Sequence, residues 1–129
     1  MCGRRIISQS VLVVDDEADL LVTYERLLRR WGYRVSAAAS LAAGLWALER
    51  DRPDLVIADL RLPDGDGFQL LRAARAAPRP PPVIVVTGVP SEDRRRAAVT
   101  AGAAAFLAKP FRTSTLQQLV HSTLAYAPC

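Results

Sequence analysis

Apolar residues in this chain gather into five short runs separated by longer stretches of helical period. The runs are SVLVV (10–14), YRVSAA (33–38), DLVIA (54–58), PVIVV (82–86) and AAFLA (104–108). The first, third and fourth are continuously apolar, the pattern of parallel strands covered on both faces. The second and fifth are weaker and read as edge strands. Residues 18–31 place Leu20, Val22, Leu27, Leu28 and Trp31 at mixed helical spacing, and Gly32 follows as a stop. Ser40 is placed to cap LAAGLWALER, and Gly67 to Ala76 makes a third helix with Phe68, Leu70 and Leu71 apolar. Ser91 can cap EDRRRAAVTAG, whose Glu92 and Asp93 lie where the helix dipole favours acids. Thr113 or Ser114 can cap the last helix, TLQQLVHSTLAY, and the stretch APRPPP (77–82) reads as a stiff connection.

Five strands alternating with five helices predict a three-layer (βα)5 α/β fold, an open doubly wound parallel sheet with right-handed crossovers. A closed eightfold barrel would need about twice the chain. A flavodoxin-like order, 2-1-3-4-5, would set the first and third strands side by side at the switch point. Periodicity alone does not fix that order.

In such a sheet, ligands bind beyond the carboxyl ends of the strands. Asp15 and Asp16 follow the first strand, Asp59 ends the third, Thr87 ends the fourth and Lys109 follows the fifth. The three carboxylates repel one another, increasingly so as the site dries. A single lysine is too little to offset them, and a hard divalent cation such as Mg²⁺ is the natural partner. A metal with open positions, a lysine and a hydroxyl make a site for a phosphoryl group. No cysteine and no Ser–His pair sits at these strand ends, which leaves a carboxylate as nucleophile. Asp59, at the end of a central strand, is the best placed. In IADLRLPDGDG (57–67), Asp59, Asp64 and Asp66 lack the spacing, the glycine and the bidentate glutamate of a calcium loop. Asp64 and Asp66 read as part of a turn into the third helix.

Composition adds bounds. The 129 residues, half of them apolar, suit one domain with a real core. No apolar run nears the roughly 18 residues that span a membrane. MCGRRIISQS lacks the apolar stretch of a signal peptide, so the expected location is the cytoplasm. Residues 1–9 read as a lead-in, 10–126 as the domain, and 127–129 as a tail or the start of a linker. Cys2 and Cys129 lie at the two ends and read as peripheral thiols. The net charge is +4, and Lys109 is the single lysine among 17 basic residues. The arginines are scattered except for Arg94 to Arg96, which suits a solvated helix face better than a nucleic-acid surface. His121, the sole histidine, falls in the last helix, away from the strand ends.

With Asp15-Asp16, Asp59 in DLRLPDGDG, Thr87-Gly88 and Lys109-Pro110-Phe111 in this order on five βα units, the chain resembles the receiver domain of two-component response regulators, the CheY-like family, over roughly residues 10 to 126. The resemblance implies that Asp59 accepts a phosphoryl group from a sensor histidine kinase or a phosphotransfer protein. It implies Mg²⁺ held by Asp16, by Asp15 directly or through water, by Asp59 and by the backbone carbonyl of Arg61. Thr87 and Lys109 would bind phosphoryl oxygens, Gly88 would leave room for the group, and the Lys109–Pro110 bond would be cis. Thr87 and the aromatic position three before the lysine, here Phe106 in place of the frequent tyrosine, would form the switch, with Phe106 inward and buried in either state or making a smaller swing. The face of the fourth helix, fifth strand and fifth helix would change, controlling an output domain or partner and allowing a homodimer. Such a domain is a signalling module and not an enzyme in the usual sense, though it promotes its own phosphorylation and dephosphorylation. No nucleic acid or membrane contact is implied for the domain itself.

Other functions fit less well. A haloacid-dehalogenase-type phosphatase puts its nucleophile in a D-x-D pair after the first strand and usually has a cap domain, and neither is present here. A phosphorylation-independent scaffold has no need of the complete acid–Thr–Lys set. A nucleic-acid binder would show salt-sensitive binding of DNA.

Overall fold

The structure is a computed structural model that describes residues 9–125. The terminal cysteines, the lead-in before Gln9 and the tail at 127–129 lie outside the described residues. The elements run β1 (Ser10–Val14), α1 (Ala18–Arg30), β2 (Arg34–Ala38), α2 (Leu41–Asp51), β3 (Leu55–Asp59), β4 (Arg61–Leu62), β5 (Gly65–Asp66), α3 (Gly67–Arg75), β6 (Val83–Thr87), α4 (Glu92–Thr100), β7 (Ala105–Ala108) and α5 (Thr113–Ala125). The main sheet is parallel with order β2-β1-β3-β6-β7. Counting its five strands alone, this is the expected 2-1-3-4-5, with β2 and β7 at the edges.

Alternation along the central strands divides the core into two halves, one on each side of the sheet. Leu12, Val14, Val56, Ala58, Val83 and Val85 pack with Leu41 and Leu48 of α2, Leu70 and Leu71 of α3, and Ala98 of α4. Val11, Val13, Leu55, Ile57, Ile84 and Val86 face the other way, onto Leu21, Tyr24 and Leu28 of α1 and Leu116, Val120 and Leu124 of α5. Both faces are covered, which is why the strand runs are apolar throughout.

Two expectations about helices change. Val22 is 61% exposed, and α1 instead buries the stripe Leu21, Tyr24, Leu28. That stripe has i, i+3, i+7 spacing, which puts Val22 on the opposite side of the helix. Thr113 is itself the first residue of α5, so neither Thr113 nor Ser114 precedes the helix as a cap; the carbonyl of Arg112 accepts from Leu116 N at 3.1 Å. Ser40 and Ser91 do cap α2 and α4, accepting from Ala43 N and Arg94 N. Gly32 ends α1 with φ +96°.

The segment after β3 is more ordered than a plain turn. β4 and β5 pair as a small antiparallel hairpin. Asp66 and Gln69 form a reciprocal capping box on α3. Asp64 reaches sideways, accepting from Leu41 N at 2.7 Å and Ala42 N at 2.9 Å, so it helps cap α2. Gly67 then brings α3 against the end of β3, where a Cβ would lie 2.5 Å from the carbonyl oxygen of Asp59. Backbone cannot yield as a flexible side chain can. Gly67→Ala is therefore expected to destabilise the fold by about 1–3 kcal/mol, as overpacking does, read as a lower midpoint of urea unfolding. Gly88→Ala, whose Cβ would meet nothing within 4 Å, is the control expected to leave the midpoint close to wild type.

Candidate functional site

Asp15 follows β1, Asp59 ends β3 and Lys109 follows β7, and the strand order brings all three to one edge of the sheet. Asp15 is 1% exposed, Asp59 6% and Thr87 0%, and these are the buried polar or charged residues of the described chain. The ammonium of Lys109 sits 2.8 Å from Asp15 Oδ2 and 2.8 Å from Asp59 Oδ2, and 3.0 Å from Oε1 of Glu17. The remaining oxygens are tied to backbone: Asp15 Oδ1 accepts from Glu17 N at 2.9 Å and Asp59 Oδ1 from Arg61 N at 3.0 Å.

The electrostatics follow from this geometry. Burial raises the pKa of Asp15 above its ordinary 3.8, and the nearby ammonium does not fully offset that cost. Burial alone would lower the pKa of Lys109, but its close contacts with Asp15, Asp59 and Glu17 outweigh it and hold the group above its ordinary value. Asp15 Oδ2 has no hydrogen-bond donor of suitable geometry among the described residues, and the ion pair with Lys109 is its compensation.

Carboxylate oxygens of Asp15, Glu17 and Asp59 lie within 4.8 Å of one another. Three hard oxygen donors with a single ammonium among them fit a hard divalent cation, as does the buried Asp15 oxygen without a hydrogen-bonded partner. Asp16, expected beside Asp15, is exposed and is not one of the three. The chain turns at this point, with Asp15 Oδ1 bonded to the N–H of Glu17, and the bend leaves Asp15 buried and Asp16 exposed. Arg61 is exposed and contributes its backbone N–H to Asp59.

Thr87 Oγ1 accepts from Val89 N at 3.1 Å, and the Thr87 carbonyl accepts from Lys109 N at 2.8 Å, which ties the end of β6 to the lysine. The Lys109–Pro110 bond is cis. Phe106, expected inward and buried, is only half-buried: it lies on edge strand β7 and packs against the α2–α3 side of the core. An edge strand has no neighbour beyond it to finish covering so large a ring. His121 lies in α5 away from the strand ends, as expected, and is exposed. Its Nδ1 shares a hydrogen bond with the Tyr33 hydroxyl, and its ring lies tilted against those of Trp31 and Tyr33.

Two site residues escaped the sequence. Glu17 is the residue before α1, and its signal was simple proximity: it lies two positions after Asp15, at a helix start. Tyr24 is buried beneath the site, with its ring 5.7 Å from that of Phe111 and no partner for its hydroxyl among the described residues. Burial and then the charge of Asp15 push its pKa up. Nothing in the helical pattern distinguishes it from an ordinary core aromatic.

The family model for the response regulator receiver domain matches residues 11–121. The transcriptional regulatory protein PrrA of Mycobacterium tuberculosis is 38% identical over 119 residues, 92% of this chain and 51% of the relative. The chain thus spans about half the length of that curated relative. A CheY-like response regulator receiver domain protein from Methanospirillum hungatei has the same fold, with TM-score 0.86 and 31% identity over 92% of this chain and 94% of that one. The receiver domain of the sensor histidine kinase PA1611 from Pseudomonas aeruginosa, described with a magnesium ion coordinated in its active site cleft, aligns with TM-score 0.81 and 32% identity over 92% of this chain and 98% of that one.

The raised pKa of Asp15 sets a sign for stability. Above its folded pKa the ionised form is disfavoured in the fold relative to the unfolded chain; below 3.8 it is protonated in both states. Asp15→Asn removes the desolvated charge together with its contact to Lys109, and because the raised pKa means burial outweighs that contact, it should stabilise the protein at pH 7. The gain should shrink as pH falls through the raised value toward 3.8. Urea unfolding at several pH values measures it.

Proposed function

The chain belongs to the response regulator receiver domain family, and from that premise we propose that Asp59 is the phosphoacceptor of a two-component signalling module. The observation that carries the proposal is the buried carboxylate of Asp59 at the end of a central strand, with Lys109 Nζ 2.8 Å from one oxygen and the Arg61 N–H on the other. In the proposed reaction a carboxylate oxygen of Asp59 attacks phosphorus. The new bond joins oxygen to phosphorus, the bond from phosphorus to a phosphohistidine nitrogen of the donor breaks, and its electron pair leaves on that nitrogen. Arg61 N and Lys109 orient the carboxylate, and the enclosing strands keep it from turning away. Asp15, Asp59 and the Arg61 carbonyl, with Asp16 at the exposed lip, would hold Mg²⁺. Bound there, the ion neutralises charge on the transferring group. Lys109 and the Thr87 hydroxyl would take phosphoryl oxygens, adding charge-assisted hydrogen bonds.

The new group brings about 1.5 to 2 negative charges. Thr87 would leave Val89 N to donate to it, and the loop into α4 would follow. The proposed readout is therefore the face of α4, β7 and α5, with Phe106 making a smaller movement than a fully buried ring would. That face would act on an output domain or a partner, or pair with a second copy. A sensor histidine kinase or phosphotransfer protein would be the donor, in the cytoplasm. Among the described residues no helix is long and apolar enough to cross a membrane.

Intact-mass measurement with Mg²⁺ and acetyl phosphate tests the reading. One phosphoryl group is expected on the wild type, none on Asp59→Asn, and none on the wild type in EDTA. Equal labelling of wild type and Asp59→Asn would remove Asp59 from the role.

A further inference from the structure

Lys109 is held by three acids of two kinds. Asp15 and Asp59 are buried, with side chains 2% and 7% exposed, whereas the side chain of Glu17 is 61% exposed. The ammonium lies among the same carboxylates that would receive a divalent cation, and to that extent it is the cation of the metal-free site. A magnesium ion needs oxygens at about 2.0–2.1 Å. It cannot take the Asp15 and Asp59 oxygens while an ammonium keeps its contacts with them, because two cations a few ångströms apart in a half-dry site repel strongly. The lysine must give ground. Its side chain is only 12% exposed, so a displaced ammonium does not simply enter water. A buried charge stripped of its partners is costly.

Glu17 is the group placed to prevent that cost. Its backbone is anchored, since its N–H donates to Asp15 Oδ1 at 2.9 Å. Its exposed side chain reaches from that anchor to Nζ at 3.0 Å. It is also the one of the three that Lys109 can keep without competing for a buried oxygen. We propose that Glu17 is a positioning residue acting through Lys109: it holds the ammonium at the mouth of the site when a divalent cation takes oxygens of Asp15 and Asp59. This rests on the receiver reading above and adds to it a role for a residue outside the acid–Thr–Lys set. The lysine then stays within reach of the place where a phosphoryl group arrives, instead of wandering.

Lys109 is the only lysine of the chain, so lysine-selective ¹³C labelling gives a single side-chain signal. In wild type, Mg²⁺ should shift that signal while leaving it as broad as an ordered side chain. In Glu17→Gln without metal, the signal should stay close to wild type, because Asp15 and Asp59 still hold the ammonium. In Mg²⁺-saturated Glu17→Gln it should become sharp and move toward the position of a free lysine, and Mg²⁺ affinity should fall about three- to tenfold, in the lower part of the range of coupling between groups in contact. Glu17→Gln at a solvent-facing side chain is expected to fold, which circular dichroism checks. If the Mg²⁺-saturated wild-type and Glu17→Gln lysine signals coincide, Glu17 does not act through Lys109 and the inference is overturned, whatever happens to the affinity. If wild type neither shifts with Mg²⁺ nor gains a phosphoryl mass, the receiver chemistry itself fails, and the inference falls with it.

Discussion

A single ammonium sits among three carboxylates at the carboxyl edge of the sheet, and much of this structure answers to that contact. Asp15, Asp59 and Lys109 come from three separate βα units, and like charges at 1% and 6% exposure would force the ends of β1 and β3 apart without a counter-charge. The ion pair does not assemble the fold, because burying charges costs about as much as their attraction returns. The apolar halves of the core do that. They drive β1, β3 and β6 into register and so compel the carboxylates to meet. The lysine makes tolerable an arrangement that packing imposes.

The backbone around Asp59 is constrained to match. Gly67 lets α3 begin against the Asp59 carbonyl, and Gly67 N donates to the Leu60 carbonyl at 3.1 Å. Asp66 and Gln69 fix the start of α3, while Asp64 grips the start of α2. The two aspartates that share the segment with Asp59 are therefore fasteners. They spend their oxygens on helix N-termini, where backbone N–H groups lack partners, and leave Asp59 as the carboxylate facing the lysine.

The layers and the edge strands were legible in the sequence because continuous apolar runs and helical spacing report burial directly, whereas the strand order was an expectation of the doubly wound fold that periodicity alone did not fix. The convergence of Asp15, Asp59, Thr87 and Lys109 was legible too, since strand ends in a parallel sheet share one side. What escaped depended on facts without periodicity. Val22 looked like part of an apolar stripe, but mixed spacing hid which of its neighbours faced the core. The cap of α5 was misplaced because Thr113 and Ser114 suit an N-cap chemically, and only the path of the chain decides where the helix begins. Asp64 reaches an element 23 residues earlier. Glu17 enters the site by the length of its side chain, and Phe106 stays half-buried because β7 has no neighbour beyond it.

The element downstream of Thr87 is also the least anchored. Helix α4 buries Ala98 alone, whereas α1 and α5 bury three residues each. Its outer surface is held by local pairs such as Arg95 with Glu92, which contribute little in water. Segments with few buried apolar contacts are those that open at low cost. A threonine hydroxyl drawn toward a new anion needs to move only its own loop to act on such a helix, because that loop joins β6 directly to the Ser91 cap of α4. Helices α1 and α5, which bury three residues each, begin shortly after Asp15 and Lys109 in the chain. Rigidity where the charges meet and looseness one loop away arise from the same distribution of buried side chains, and under the proposed chemistry that combination would let a local change in charge become a change in surface.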